Sequence, residues 1–334
     1  LLISDRAHVV LPFHKEMDAA QESALGKKAI GTTKRGIGPT YADKARRMGV
    51  RMADMRDPGI FDEVLRRRIK MANAEMERMG LPAMDEEKMV AEVSAAADVL
   101  RPHITNTIPV MHEAVASGKS ILFEGAQGAY LDVDFGTYPF VTSSNTSSAG
   151  ACTGTGVPPH KIDRIIGVCK AYTTRVGSGP FPTELHDEIG ERLGVKGHEF
   201  GATTGRKRRC GWFDAVAMKR AIQVNSVSGF CLTKLDVLDG LETVKICTGY
   251  KFQDGSIRDV PPMAADDYEL VEPVYESMPG WSENTFGAKT LGALPEAARN
   301  YIRRIEAITG VPIDIISTGP DRDETMILRH PFAD

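Results

Sequence analysis

From Phe61 to Gly118, Met, Leu and Val recur at three- and four-residue spacing between charges, and this pattern predicts a helical block over 57–118 with a break at Gly80-Leu81-Pro82. Elsewhere short apolar runs alternate with loops. Strands are predicted at 120–124, 163–170, 228–233 and 312–318, and a hairpin at 243–260 turned at Asp254-Gly255. Further helices are predicted at 41–48 and 295–309. The alternation predicts an α/β fold with a mainly parallel central sheet flanked by helices, and residues 1–334 read as a single domain carrying the helical block as an insertion. In such folds ligands bind at the carboxyl ends of the strands. Polar loops follow three of the predicted strands: "FEGAQGAYLDVDFGTYPFVTSSNTSSAG", "TKLD" and "STGPDRDE". All three are expected to open on one edge of the sheet.

The segment "LTKLDVLDG" (232–240) gives that edge a candidate chemistry. An aspartate after a strand, as Asp236 is, can accept two hydrogen bonds from the N1 and 2-amino edge of guanine while the aliphatic stem of Lys234 covers the base. Ser317-Thr318-Gly319, after a different strand, can supply backbone groups to a second side of the same base. A purine triphosphate normally calls for a phosphate loop of the form GxxxxGK[ST] after a strand. The nearest match, Gly118-Lys119-Ser120, has Glu113 at the first glycine position and follows a helix, so it reads as a helix-terminating glycine leading into a strand. No phosphate loop is found in these 334 residues.

Charge and composition narrow the alternatives. With 42% hydrophobic and 26% charged residues and a net charge of −4, the chain is ordinary for a globular protein and unlike a general nucleic-acid binder. Five cysteines without a CxxC pair and eight histidines without HExxH disfavour zinc cages and disulfides, which fits a cytoplasmic location; no run is long and apolar enough for a membrane span. "GATTGRKRRCGW" (201–212) joins a Gly/Thr loop to four consecutive cations, which reads as a small-anion loop, because guanidinium forks match carboxylate or phosphate oxygens. Its alternative is a solvated basic face. Glu124, Asp132 and Asp134 are candidate metal ligands, more often solvated or capping. "GTTKRGIGP" (31–39) and the pair Arg46-Arg47 extend the anion-binding inventory.

Taken in order, "GTTKRGIGP", "FEGAQG", "GTYPFVTSSNT", "TRVGSGPFPTEL", "GATTGRKRRCGW", "LTKLDVLDG", "MPGW" and "ISTGPDR" closely resemble the adenylosuccinate synthetases, which join IMP to aspartate using GTP. The resemblance runs from about residue 1 to the C-terminus and implies a fold like that of the P-loop NTPases. It places GTP against Arg208, Lys234, Leu235, Asp236, Ser317, Thr318 and Gly319. It places IMP against Thr33, Arg47, Gln127, Leu131, Thr142, Val176 and Arg206, and aspartate against the loop Ala202, Thr203, Thr204, Gly205, Arg206, Lys207 and Arg208. It further implies a homodimer in which Arg47 reaches the neighbouring site, and Mg²⁺ as cofactor.

In that family the glycine loop, the catalytic acid and base and the main magnesium contacts lie near the N-terminus. This chain opens at Leu1-Leu2-Ile3 as though an element were already under way, so it reads as missing its beginning and is expected to be inactive alone. No catalytic or metal-binding residue is assigned within it. Two other readings stay open: a regulatory GTP-binding protein, which would share TKLD but has no use for a second-substrate loop, and an RNA-binding module built on the basic run.

Overall fold

The computed structural model describes residues 1–26, 29–201 and 205–333. Where the sequence reads as a single domain, the chain divides into two compact units. One comprises Leu1–Ala126, Thr142–Asn145 and Gly150–Lys161, the other Gln127–Val141, Thr146–Ala149 and Ile162–Asp334.

The first unit is mainly helical. Its elements are β1 (Ile3–Ser4), α1 (Pro12–Leu25), α2 (Ile37–Arg46), α3 (Pro58–Arg78), α4 (Glu86–Leu100), β2 (Ile104–Thr105) and α5 (Thr107–Ala116), with β1 and β2 paired in parallel. The caps explain the helix starts. Asp57 accepts from the N–H groups of Gly59 and Ile60, Asp85 from that of Lys88, and Asn106 from that of Ile108. The apolar spacing of α3 buries Phe61, Leu65, Ile69, Ala72 and Met76 as one stripe, in a cluster with Met89, Val90 and Ala97 of α4 and Phe13 and Met17 of α1. The predicted block therefore stands, with a second interruption at 101–106. Helix α2 starts four residues before the predicted Tyr41. Gly36 turns the chain at φ 79°, where a Cβ would lie 2.8 Å from His14, and Pro39 is tolerated in the first turn.

A buried polar triad ties these helices. The Leu11 N–H donates to Nδ1 of His14 at 2.9 Å, so Nε2 carries the proton and donates to Asp43 Oδ2 at 2.8 Å. Arg68 grips the same carboxylate through two bonds of 2.8 Å. Burial opposes ionisation of Asp43, but these donors hold its carboxyl below the usual range.

One predicted strand is absent. Residues 119–125 form no regular element, and Leu122 is 77% exposed. A strand needs a neighbour to take its backbone hydrogen bonds, and none of the described residues pairs with this run. The glycine before it behaves as expected: Gly118, at φ 68°, terminates α5 with Lys119 N–H bonded to Ala114 O at 3.0 Å.

After α6 (Ala149–Thr155), the second unit supplies β3 (Ile166–Lys170), β4 (Thr173–Arg175), α7 (Glu188–Lys196), β5 (Arg209–Gly211), β6 (Phe213–Asp214), α8 (Ala215–Asn225), β7 (Gly229–Thr233) and β8 (Leu241–Lys251). It ends with β9 (Ile257–Arg258), α9 (Ala265–Tyr268), β10 (Glu272–Trp281), α10 (Glu296–Thr309), β11 (Ile313–Ser317) and β12 (Thr325–Ile327). One sheet has the order β12-β11-β7-β3, with β11, β7 and β3 parallel and β12 antiparallel at its edge. The other runs β10-β8-β6 with β9 paired to β8 across the predicted Asp254-Gly255 turn. Helix α10 buries Ala298, Tyr301, Ile302 and Ile305, positions on one face, in a core shared with Phe230, Leu232, Ile313 and Ile316 of the parallel sheet and Val244 and Ile246 of the other. The mixed α/β architecture with parallel strands flanked by helices is the one the sequence predicts.

Candidate functional site

The three parallel strands end level. Lys170 of β3 pairs with Thr233 of β7, and Ile316 of β11 pairs with Leu232, which sets Ser317 beside Thr233. The loops after all three strands therefore leave from one edge. Beyond β7 the chain turns sharply: Lys234 sits in the left-handed region at φ 59°, and residues 235–238 form one tight turn. Leu235, Val237 and Leu238 are buried, which anchors the turn and leaves Lys234 and Asp236 half-buried. Beyond β11 the buried Thr318 donates its N–H to Glu324 O at 2.9 Å, and Ser317 Oγ donates to Gly319 O at 2.8 Å. A Cβ at Gly319 would lie 2.2 Å from the Glu324 carboxylate, so a larger residue there would displace that side chain.

Two aspartates share the 232–240 segment and meet opposite fates. Asp239 is buried and accepts from Trp281 Nε1 at 2.6 Å and from the Thr285 N–H and hydroxyl, each at 2.8 Å. Its carbonyl accepts from Arg192 and Lys196 at 2.8 and 2.9 Å. It thus locks the "MPGW" segment to the turn. Among the described residues no side chain donates to Asp236, whose carboxyl is raised above its usual range by burial, with the charge of Asp239 adding to it. A half-buried carboxylate without a side-chain donor keeps acceptor capacity for water or a ligand.

Beside Asp236 lies a cationic cluster built on one carboxylate. Glu199 is fully buried. Its Oε2 accepts from Lys170 Nζ at 2.8 Å and Arg208 Nη1 at 2.7 Å, and its Oε1 from the Tyr172 hydroxyl at 2.5 Å, with Lys234 Nζ in an ion pair at 3.2 Å. Lys234 Nζ also donates to Gly197 O. Burial opposes the Glu199 charge, but the bonds from Lys170, Tyr172 and Arg208 hold its carboxyl at about 2. Burial pulls Lys170 below its usual range, with Glu199 opposing, and pushes the Tyr172 phenol up. Three cations stand against Glu199, and Asp236 beside them supplies a second carboxylate, so the cluster keeps a positive excess, a field suited to an anion. Lys170, Tyr172 and Glu199 are absent from the sequence-based assignments. The available signals were the place of Lys170 at the end of a predicted strand and of Glu199 just before the Gly/Thr loop.

The cationic loop folds back on itself. Phe200 and Lys207 form an antiparallel bridge, Gly201 N–H donates to Arg206 O at 2.8 Å, and Arg208 N–H donates to Glu199 O at 2.8 Å. Ala202, Thr203 and Thr204 lie outside the described residues. Gly205 is exposed, Arg206 half-buried, and Lys207 pairs with Glu191 at 2.6 Å. Arg209, the fourth cation, turns away to Glu184 and to Gly179 O at 2.7 Å, so it braces the "TRVGSGPFPTEL" segment instead.

The remaining predicted residues are divided between the units. Thr33, Arg47 and Thr142 lie in the first, and Gln127, Leu131, Val176 and Arg206 in the second. Thr33 is exposed on a loop held by Glu22, which accepts from the N–H groups of Ile30, Gly31 and Thr32. Arg47 is exposed at the end of α2 with φ 62°, and Gln127 is exposed at φ 64°. Leu131 closes a short turn over 129–131. As a metal ligand Asp132 is spoken for: its carboxylate accepts from the N–H groups of Asp134, Phe135, Thr146 and Ser147.

The family profile of adenylosuccinate synthetase matches residues 1–326. This chain belongs to the adenylosuccinate synthetase family. The adenylosuccinate synthetase of Tolumonas auensis is 60% identical over 335 residues, covering 100% of this chain and 78% of that protein. That of Vibrio cholerae is 57% identical over 334 residues, covering 100% and 77%. The fully ligated adenylosuccinate synthetase of Plasmodium falciparum superposes with a TM-score of 0.95 at 39% identity, over 98% of this chain and 78% of that one. An adenylosuccinate synthetase is a GTP-dependent ligase of purine biosynthesis that forms a C–N bond, and that is the activity of this chain's family.

The Asp236 geometry sets a pH dependence. A carboxyl that accepts from a guanine edge must be ionised, and the upward shift of Asp236 means that protonation would compete there at higher pH than for an ordinary aspartate. On acidification from about pH 7, the ratio of GTP to ATP affinity is expected to fall, approaching tenfold per pH unit once below the raised value. Taking the ratio cancels the titration of the phosphates, which both nucleotides share. A ratio that stays flat into the ordinary carboxylate range removes Asp236 from base recognition.

Proposed function

We propose that this chain takes the guanine of GTP at the edge formed by β3, β7 and β11 and uses it in the synthesis of adenylosuccinate from IMP and L-aspartate. The observation that carries this is the Asp236 carboxylate, half-buried and without a side-chain donor, beside a Lys234 whose ammonium is fixed by Glu199 and Gly197 O. Lys234 covers the base, Asp236 accepts from its N1 and 2-amino groups, and the Ser317–Gly319 backbone borders it. Arg208 and its neighbours face the ribose and phosphates. In the reaction, the γ-phosphoryl group of GTP passes to O6 of IMP once N1 has lost its proton. The aspartate amine then displaces that phosphate at C6, forming the new C–N bond. Phosphorylation is what turns the 6-oxo group into a leaving group.

IMP is assigned to Thr33, Gln127, Leu131, Thr142, Val176 and Arg206, and aspartate to the 202–208 loop with Arg206 on its carboxylates. The protein acts as a cytoplasmic homodimer in which Arg47 reaches the IMP phosphate of the neighbouring subunit. Mg²⁺ serves the family by neutralising the transferring phosphoryl group. The described residues gather no group of three or more His, Cys, Asp or Glu able to hold a metal ion. The regulatory GTP-binding alternative shares Asp236 but leaves the second-substrate loop unused.

Three measurements test this reading. Asp236→Asn should weaken GTP more than tenfold, on the order of 2 kcal/mol, and favour XTP, whose 2-oxo group accepts from the new amide; unchanged GTP affinity takes the turn out of the site. Arg206→Leu should raise the aspartate KM at least tenfold through loss of a bidentate partner, whereas a defect confined to GTP would contradict the aspartate assignment. Mixing Arg47→Leu protein with Asp236→Asn protein should recover activity through hybrid dimers with one intact site. If hybrids form and nothing is recovered, Arg47 acts within its own subunit.

A further inference from the structure

Helix α1 carries a buried polar stripe. His14, Asp18 and Glu22 recur every four residues on one face, and each is 9% exposed or less. Two of them fix the two ends of α2. At its start the Asp18 carboxylate accepts from the Gly36 N–H at 2.9 Å. Near its end His14 donates to the Asp43 carboxylate, whose other donor is the Arg68 guanidinium. Asp43 acts a second time through its backbone. The N–H groups of three consecutive residues, Arg47, Met48 (2.9 Å) and Gly49 (3.2 Å), converge on its carbonyl, so the chain wraps around one oxygen where the helix stops. The wrapping holds Arg47 in the left-handed region, at φ 62° and ψ 36°. Glycine is the ordinary occupant of such a cap, and a side chain there is strained. The arginine is exposed, and among the described residues no carboxylate pairs with it.

We propose that Asp43 is a positioning residue for Arg47: its carboxylate pins α2 against α1 and α3, its carbonyl holds the left-handed cap, and together they set the direction in which the Arg47 guanidinium leaves the helix. The inference rests on the reading of Arg47 as the arm that reaches the IMP phosphate of the neighbouring subunit. A helix held by Asp18 at one end and by His14 and Arg68 at the other cannot slide or rotate about its axis without breaking a buried bond. The stem of an arginine is long and flexible, so its affinity for a phosphate depends on where its backbone stands and which way it points. If Asp43 loses its charge, the buried Arg68 keeps only the more distant Glu75, at 3.7 Å, and α2 loses its anchor to α3. The displacement falls on the cap four residues further on. Lys234, Asp236 and Ser317 belong to the other unit and share no bond with this triad.

The test uses the full chain, with IMP and inosine as probes and their affinities measured by calorimetry. The two ligands differ only by the phosphate, so the ratio of their affinities reports what the phosphate gains. Asp43→Asn should lower that ratio about tenfold while the inosine Kd stays at the wild-type value. Arg47→Ala should lower it by at least as much, and the double variant should lower it no further than Arg47→Ala alone, because Asp43 acts only through Arg47. Arg68→Lys keeps the charge but not the two-pronged grip on Asp43, and it serves where the Asn variant does not fold; the ratio should fall in the same direction by a smaller factor. A weakening of inosine equal to that of IMP would mark general damage to the fold and overturn the proposal. So would losses that add in the double variant, or a wild-type ratio in either folded variant while Arg47→Ala lowers it; the reading of Arg47 then stands without Asp43. A wild-type ratio in Arg47→Ala, or a wild-type chain that does not bind IMP, overturns the reading of Arg47 first, and this inference with it.

Discussion

The parallel alignment of β3, β7 and β11 is the constraint on which the site depends. Because Lys170 pairs with Thr233 and Ile316 with Leu232, three strands finish at one level, and their loops have a single edge on which to meet. Strand direction also explains the apolar runs. β7 and β11 bury alternate and adjacent positions alike, as strands covered on both faces must, so their sequences read as continuous stretches rather than as polar–apolar alternation. The functional groups then appear only where the chain leaves the sheet. Lys234 and Asp236 follow directly on β7, and Ser317 is the last residue of β11.

On that edge, one buried anion organises a cationic surface. A cluster of Lys170, Arg208 and Lys234 without Glu199 would repel itself apart, and one fully neutralised would have no attraction for a polyphosphate. One carboxylate among three cations holds the geometry and leaves positive charge to spare. The strongly lowered carboxyl of Glu199 is the thermodynamic sign of this. Its ionised form contributes stability above the ordinary carboxylate value of 4.5, and that contribution is lost as pH falls from there toward about 2. Glu199 itself therefore stays ionised across the neutral range, while burial raises the Asp236 carboxyl above its usual range.

Much of this was legible in the sequence because the signals were local. The stripe from Phe61 to Met76, the face of α10 and the glycine after α5 follow from spacing and from backbone preference. The turn at Lys234–Asp236 was legible because it follows a clean apolar run. What failed was non-local. Residues 120–124 have strand composition, but a strand exists only with a neighbour, and composition does not say whether one is there. Glu199 failed for the same reason. Nothing in "HEFGATTG" reveals that its glutamate meets Lys170 at the end of β3, Tyr172 just beyond it and Lys234 just beyond β7. Arg209 is the converse case: in sequence it is indistinguishable from its three cationic neighbours, yet it spends its guanidinium on Glu184 and the backbone of 177–179.

The two aspartates of "LDVLD" show how such ambiguities are resolved physically. Both follow the same strand, both carry the same charge, and three positions separate them. Asp239 finds an indole N–H, a hydroxyl and a backbone N–H inside the fold, and its charge is consumed in holding Trp281 and Thr285. Asp236 finds no side-chain donor among the described residues, and burial makes its ionised form costly until a donor arrives. A ligand with two adjacent N–H groups removes that cost, and one presenting an acceptor adds to it. In the proposed guanine site, discrimination between purines would come less from the strength of the bonds formed with the right base than from the unsatisfied carboxylate left behind by the wrong one. Asp239, three residues away, holds the turn that carries Asp236 by binding Trp281 and Thr285.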